Sequence, residues 1–317
     1  MALPLISICI PAYKKPEFVL RCLQSIVKQT YKQIEIIISD DSPDETIKEV
    51  AEPFLNQVAL YYYHNIPALK SPRNWNAALD RAKGDLLILM HQDDWFFTDN
   101  ALEQYVSLFQ EKPEVDFIFC RNTAIDENGS EIVLQAQPKL VYELYKNPDH
   151  LLLAQVIGPP SNTMLRKRIT ARYDEEFIWL VDVDYYVRLL KAGYKYFYID
   201  KHLVNIGLHE EQTTVFCRTH SDIIFRENIW YAAKLTPQVF HDILIYDYYW
   251  RLLRNYNIRT LNDFIANGIE VHQISEVIRF MFNRQMKWPI AVLRKGIFSK
   301  ALMALSYTMW RRRLKHT

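Results

Sequence analysis

Two adjacent carboxylates, Asp93 and Asp94, stand at the end of the apolar run in "ILMHQDDWF". An anion pair at the end of a buried strand is costly unless it meets positive charge or water. One reading is a turn that prepares the following segment, "DNALEQYVSLFQ", for a helix. The other is a site for a hard divalent cation such as Mg²⁺ or Mn²⁺, which takes carboxylate oxygens together with substrate phosphates. The chain has only seven glycines and no glycine-rich phosphate loop. A diphosphate held here would need another means of neutralisation. A second pair, Asp40-Asp41 in "IIISDDSPDET", suits either a helix start or acceptance of a base imide N–H. In "WLVDVDYYVRLLKAG", Asp184 precedes Arg188 by one helical turn and reads as its ion-pair partner. Asp182 has no such partner in register and is a candidate general base. Lys70, Arg73 and Asn74 open a helix where a cation could face phosphate, and His209 follows a strand in "NIGLHEEQTT".

The elements that must position these groups are legible in the first 120 residues. Apolar runs at 5–10, 34–39, 58–63 and 85–90 alternate with helix-period segments at 16–30, 44–55 and 72–83. Strands apolar on both faces imply a mostly parallel sheet flanked by helices. Such sheets bind ligands beyond the carboxyl ends of their strands. The residues at those ends are Pro11-Ala12-Tyr13, Asp40-Asp41, His64-Asn65 and His91-Gln92-Asp93-Asp94. From 115 to 210 the pattern is mixed: strands at "VDFIFC", "SNTMLR" and "KYFYID", a hairpin signal at Asn128-Gly129, a helix at "NPDHLLLAQVI", and another near 180–192 stopped by Gly193. Beyond about 217 the chain reads as helical and aromatic, so the expected division is 1–215 and 216–317.

Lys plus Arg (38) nearly cancels Asp plus Glu (37), which gives no field for nucleic acid. The four cysteines have no CxxC spacing and suit a reduced, cytoplasmic chain. The N-terminus lacks a basic region before its apolar stretch and reads as a strand rather than a signal peptide. After Glu276 there is no acidic residue, while ten Lys and Arg follow, ending at Lys315. This tail mixes cations with Trp, Leu, Ile and Met, as a helix lying on an anionic membrane surface would. The other reading is a helix that packs within the chain or against a second copy of it.

In order and spacing, "SICIPAYKKPEFVLRCLQSIVKQTYKQIEIIISDDSPDET", "RNWNAALDRAKGDLLILMHQDDWF" and "FIWLVDVDYYVRLLKAGYKYFYI" resemble family 2 of the inverting GT-A glycosyltransferases, over residues 5–210. The resemblance implies a GT-A fold, a Rossmann-like sheet with a helical C-terminal extension, and transfer from a nucleotide sugar, UDP-linked by expectation, with Mn²⁺ or Mg²⁺. It implies Pro11, Ala12, Tyr13, Asp40, Asp41, Lys70, Arg73, Asn74, Gln92 and Asp93 at the nucleotide. It puts Asp93, Asp94 and His209 at the metal and Asp182 as base. A tail lying on a membrane surface would suit a glycan or lipid-linked acceptor hydroxyl, so bacterial surface polysaccharide or lipopolysaccharide synthesis is the expectation. His91 stands where the family carries a first acid, and Val181 where it carries a Glu. These departures suggest an alternative, a nucleotide-binding scaffold of the same fold without catalysis. A nucleotidyltransferase would bring a glycine-rich loop that the sequence lacks.

Overall fold

The computed structural model describes residues 3–126, 128–134 and 138–313 of the 317-residue chain. The chain divides into two compact units, 1–148 with 155–212, and 149–154 with 213–317. Residues 149–154 thus join the C-terminal unit, which a single cut near 215 does not anticipate.

The first unit is built on eleven strands among the described residues: β1 Ile6–Ala12, β2 Ile34–Asp40, β3 Ala59–His64, β4 Leu86–Leu89, β5 Trp95–Phe96, β6 Phe117–Cys120, β7 Asn122–Ile125, β8 Glu131–Leu134, β9 Thr163–Arg166, β10 Tyr196–Ile199 and β11 Val204–Gly207. Seven of them form one sheet in the order β10-β6-β9-β4-β1-β2-β3. The pairs β1/β2, β2/β3, β1/β4 and β6/β10 are parallel, and only β9 runs against its neighbours β4 and β6. β1, β2 and β4 are buried throughout, as strands covered by helices on both faces must be. The helix Pro16–Val27 starts on Pro16, whose missing N–H costs nothing there, and turns Val19, Cys22, Leu23 and Ile26 into the core.

The order carries a consequence for function. From β1 the chain moves outward through β2 to β3, then returns to the other side of β1 with β4. The carboxyl ends of β1 and β4 therefore border the crevice where the winding direction reverses, the usual ligand position in open α/β sheets.

A second sheet, β5-β11-β7-β8, was not anticipated as such. Its β7/β8 hairpin turns at Gly129, whose φ of 79° is open to glycine at little cost; residue 127 of that turn lies outside the described residues. The helix expected at "NPDHLLLAQVI" is only a short 3₁₀ segment, Pro148–Leu152. Pro159 and Pro160 follow closely, and Gly158 takes φ 87°, so the helical pattern has little room to continue.

The second unit is helical. The helix Ile243–Asn255 buries Tyr246, Tyr249, Trp250 and Leu253, and the helix Gly296–Arg313 turns Ser299, Met303, Ser306 and Trp310 inward. Trp250 Nε1 donates to Ser299 Oγ at 3.2 Å, and Tyr246 and Ser306 share a hydroxyl hydrogen bond of 2.8 Å. These bonds explain how two serines occupy a buried helix face without loss.

Candidate active site

At the winding reversal, β1 and β4 are tied beyond their last paired residues. Tyr13 N–H donates to Gln92 Oε1 at 2.8 Å, and Gln92 Nε2 donates to the Tyr13 carbonyl at 3.0 Å. Gln92 thereby acts as one more strand residue, and the Tyr13 ring stays open to solvent at 52 % exposure. Pro11 and Ala12 are buried strand residues just below.

The next two residues are held from several sides. Arg21 donates to the Asp93 carbonyl at 2.8 Å and lies over the Trp95 ring at 3.7 Å. His209 Nε2 meets Asp93 Oδ2 at 2.9 Å. The Gly207 N–H donates to Asp94 Oδ1 at 3.0 Å. A Cβ on Gly207 would lie 2.4 Å from the Asp93 carbonyl oxygen, so only glycine lets β11 approach this close. The His91 N–H donates to Ser161 Oγ at 2.9 Å, and its ring packs 4.7 Å from that of Trp75.

Ligand atoms of His91, Asp93 and Asp94 all fall within 4.8 Å of one another. Among the described residues, Asp94 Oδ2 and His91 Nε2 are buried without a hydrogen-bond partner. Burial first, and then the Asp93 charge, hold the Asp94 carboxyl well above the usual range. Burial works the same way on Asp93. There the hydrogen bond and field of His209 oppose it, and its pKa falls below the ordinary value. Burial lowers the His91 imidazole, which favours the neutral, ligating form. Two crowded carboxylates, a neutral imidazole and two orphaned buried atoms fit a divalent cation of the Mn²⁺ or Mg²⁺ type. His209, expected among the ligands, lies outside this three-residue cluster and hydrogen-bonds Asp93 Oδ2 through Nε2.

Asp182 sits in the first turn of the helix Val181–Lys191. Burial raises its pKa from 3.8 to about 7, and its Oδ1 is enclosed without a hydrogen-bond partner among the described residues. Its negative charge is felt by the hydroxyls of Tyr173 and Tyr186. Tyr173 stacks on Tyr185 at 4.1 Å and meets Trp75 edge-on at 5.2 Å, so packed rings connect this helix to His91. Asp184 pairs with Arg188 at 2.7 Å, as its spacing suggests.

Other expected nucleotide contacts are engaged in the scaffold. Asp40 is fully buried; Oδ1 accepts from Ser42 N–H at 2.8 Å and Oδ2 from the Tyr62 hydroxyl at 2.7 Å. Asp41 accepts the Leu69 N–H at 3.0 Å, the Lys70 N–H at 2.7 Å and Asn65 Nδ2 at 2.9 Å. The physical reason is local. The 65–70 loop has backbone donors that no strand satisfies, and Lys70 adopts φ 66°, so a carboxylate organises the loop. Asp40 therefore serves as an internal hydrogen-bonding group, and Asp41 braces the loop beside the strand end. Asn74 is buried and links Asn65 to the Ala12 carbonyl, at 3.1 and 3.4 Å. Arg73 is exposed and paired with Glu175 at 2.9 Å; Lys70 is exposed. Sequence reasoning missed Arg21, Trp75 and Ser161, which carry no motif, and placed His91 at a strand end without a ligand role.

A profile of Glycosyl transferase family 2 matches residues 7–174, more than half of the chain. The amylovoran biosynthesis glycosyltransferase AmsB of Erwinia amylovora is 26% identical over 259 residues, 78% of this chain and 83% of that protein. Among solved structures, residues 1–349 of Staphylococcus aureus TarS with UDP-GlcNAc align with a TM-score of 0.61 at 16% identity, covering 98% of this chain and 92% of that one. The mannosyltransferase PcManGT of Pyrobaculum calidifontis with GDP-Man and Mn²⁺ aligns at 0.56 and 15% identity, covering 98% and 84%. The sheet order, the site at its winding reversal and these likenesses agree: the chain has the GT-A fold and belongs to glycosyl transferase family 2.

Proposed function

We propose that this glycosyltransferase is metal-dependent and inverting, and moves a sugar from a UDP-linked donor to a hydroxyl of a glycan or lipid-linked acceptor in surface polysaccharide or lipopolysaccharide assembly. The observation that carries the reading is the His91, Asp93 and Asp94 cluster beside the Tyr13–Gln92 clamp. His91, Asp93 and Asp94 would hold a divalent cation, which would supply positive charge to the diphosphate leaving group. Tyr13 offers its open ring to the nucleoside, and Gln92 fixes that ring's backbone. Lys70 and Arg73 lie at the helix start and add positive charge on the phosphate side once Arg73 turns from Glu175.

Asp182 accepts the proton of the attacking hydroxyl. A pKa near 7 suits that task, because the carboxylate is available at neutral pH yet still basic. One base and one displacement give inversion, whereas retention would call for a nucleophile and a second step. UDP-GlcNAc in TarS and GDP-Man with Mn²⁺ in PcManGT support a nucleotide-sugar donor and a metal, and AmsB supports polysaccharide synthesis. We assign this chemistry to residues 1–215, and peripheral attachment at the cytoplasmic face of a membrane to 216–317.

The test is a panel of nucleotide sugars with Mn²⁺, reading nucleoside diphosphate release and the anomer formed. Release that depends on Asp182 and on the metal is expected. Nucleotide binding with no release from any donor would favour the scaffold reading, which Val181 and the shortened acidic run suggest.

A further inference from the structure

The C-terminal unit has an unusual outer face. Along the helix Gly296–Arg313, Ser299, Met303, Ser306 and Trp310 are buried. The neighbouring stripe, one residue earlier at each step, is Phe298, Leu302, Leu305 and Met309. Phe298 and Leu305 are 58 % and 57 % exposed, and Ile297 in the first turn is 86 % exposed. This stripe borders a cleft of about 170 Å³ lined by Arg284, Lys287, Trp288, Leu302 and Leu305 together with the buried Trp250 and Ser306. Trp288 is itself 43 % exposed.

Charge says what covers this face. No acidic residue follows Glu276. Among the described residues, only Arg313 of the basic residues beyond 276 forms an ion pair, with Glu276 at 2.7 Å. Arg284 contacts Met309 Sδ and lies over the Phe280 ring at 5.9 Å, neither of which neutralises its charge. Lys287, Arg294, Lys295 and Lys300 have no acidic partner among the described residues. A protein partner would have to supply an acidic, apolar-centred surface. A bilayer bearing anionic headgroups supplies phosphate above acyl chains, which matches cations beside an apolar stripe. Among the described residues no helix is long and apolar enough to cross a membrane, so the contact is peripheral.

We propose that the cleft and stripe form a binding site for an anionic bilayer surface, with Arg284 and Lys287 meeting a headgroup phosphate while Ile297, Phe298, Leu305 and Trp288 enter the acyl boundary. The proposal adds a named site to the membrane attachment suggested above and does not rest on the transfer reaction.

The test is flotation of the full chain with phosphatidylcholine vesicles, with and without a third of phosphatidylglycerol. Binding is expected only with the anionic lipid, and to weaken as salt rises. Lys287→Glu and the pair Phe298→Ser, Leu305→Ser should each reduce binding about tenfold or more, by separate routes, with unchanged helical circular dichroism. Donor hydrolysis in solution should be unchanged in all of them, which separates this outcome from failure of the catalytic reading. Equal binding by wild type and both variants would overturn the site, as would binding indifferent to lipid charge. A wild-type dimer in light scattering that the serine pair makes monomeric, without vesicle binding, would assign the face to a second copy and also overturn it.

Discussion

Replacing Asp182 by Asn separates the catalytic and energetic consequences of one half-buried carboxyl whose Oδ1 is enclosed. Its pKa is raised from 3.8 to about 7 by burial. The native state therefore keeps a proton that the unfolded chain releases. Stability from this source is complete below about 3.8 and is lost as pH rises through about 7. Holding the proton against release costs about 1.4 kcal/mol for every pH step above 3.8, until the native carboxyl itself ionises. The penalty is therefore about 2 kcal/mol at pH 5 and about 4 kcal/mol at pH 8. Asn cannot ionise and escapes this dependence. The advantage of Asp182→Asn over wild type should grow by about 2–3 kcal/mol between pH 5 and pH 8. For a unit of this size that widens the gap in melting temperature by about 5–10 °C, read as the melting of the catalytic unit across pH. Transfer should fall by about 10²–10⁴-fold in the same variant, while nucleotide affinity stays. Melting curves that remain parallel across pH would refute the raised carboxyl. Transfer within a few-fold of wild type would refute the base.

In wild type, transfer should rise with pH up to about 7 and then level, as the Asp182 carboxylate becomes available; a flat profile between pH 5.5 and 8 would contradict this. His91→Ala should weaken Mn²⁺ binding about tenfold or more by electron paramagnetic resonance titration, and His91→Asp should shift preference toward Mg²⁺, since a hard oxygen donor replaces nitrogen. Gly207→Ala should lower stability by about 1–3 kcal/mol and weaken metal binding, because the methyl group would strike the Asp93 carbonyl; a denaturant midpoint equal to wild type would exclude that clash. Gln92→Ala should raise KM for the donor several-fold with little change in kcat, since it frees the Tyr13 backbone without touching the base.

The legible part of the fold was the part with one simple signal. β1, β2 and β4 read as unbroken apolar runs because they are covered on both faces, and the helix Pro16–Val27 announced itself by proline and a four-residue apolar repeat. β9 is buried except at Arg166, but nothing in Thr163–Arg166 tells that it runs against β4 and β6; direction is set by the connections, not by side chains. β5 has two residues and β11 contains Asn205 and Gly207, so neither has a period to detect. At the site, residue type located the strand ends correctly but could not apportion the carboxylates. Asp40 closes an apolar strand, and Asp93 follows the end of another. One meets Ser42 and Tyr62 and stays internal, whereas the other faces His91 and Asp94, and these partners arrive from elsewhere in the chain or depend on how the strand end turns. Arg21 shows the same limit, since its value lies in reaching a carbonyl 72 positions away.

The small detour at 149–154 makes the helical unit less detachable than a C-terminal extension would be. His150 meets Asp242 at 2.6 Å, and Leu151 and Leu152 are buried within that unit's share of the chain. The polypeptide therefore passes between the units three times rather than once. Ending the protein at Gln212 would strand two leucines without their neighbours and leave a sticky loop in the first unit. Swapping tails between relatives would demand that this hexapeptide travel with its own helices.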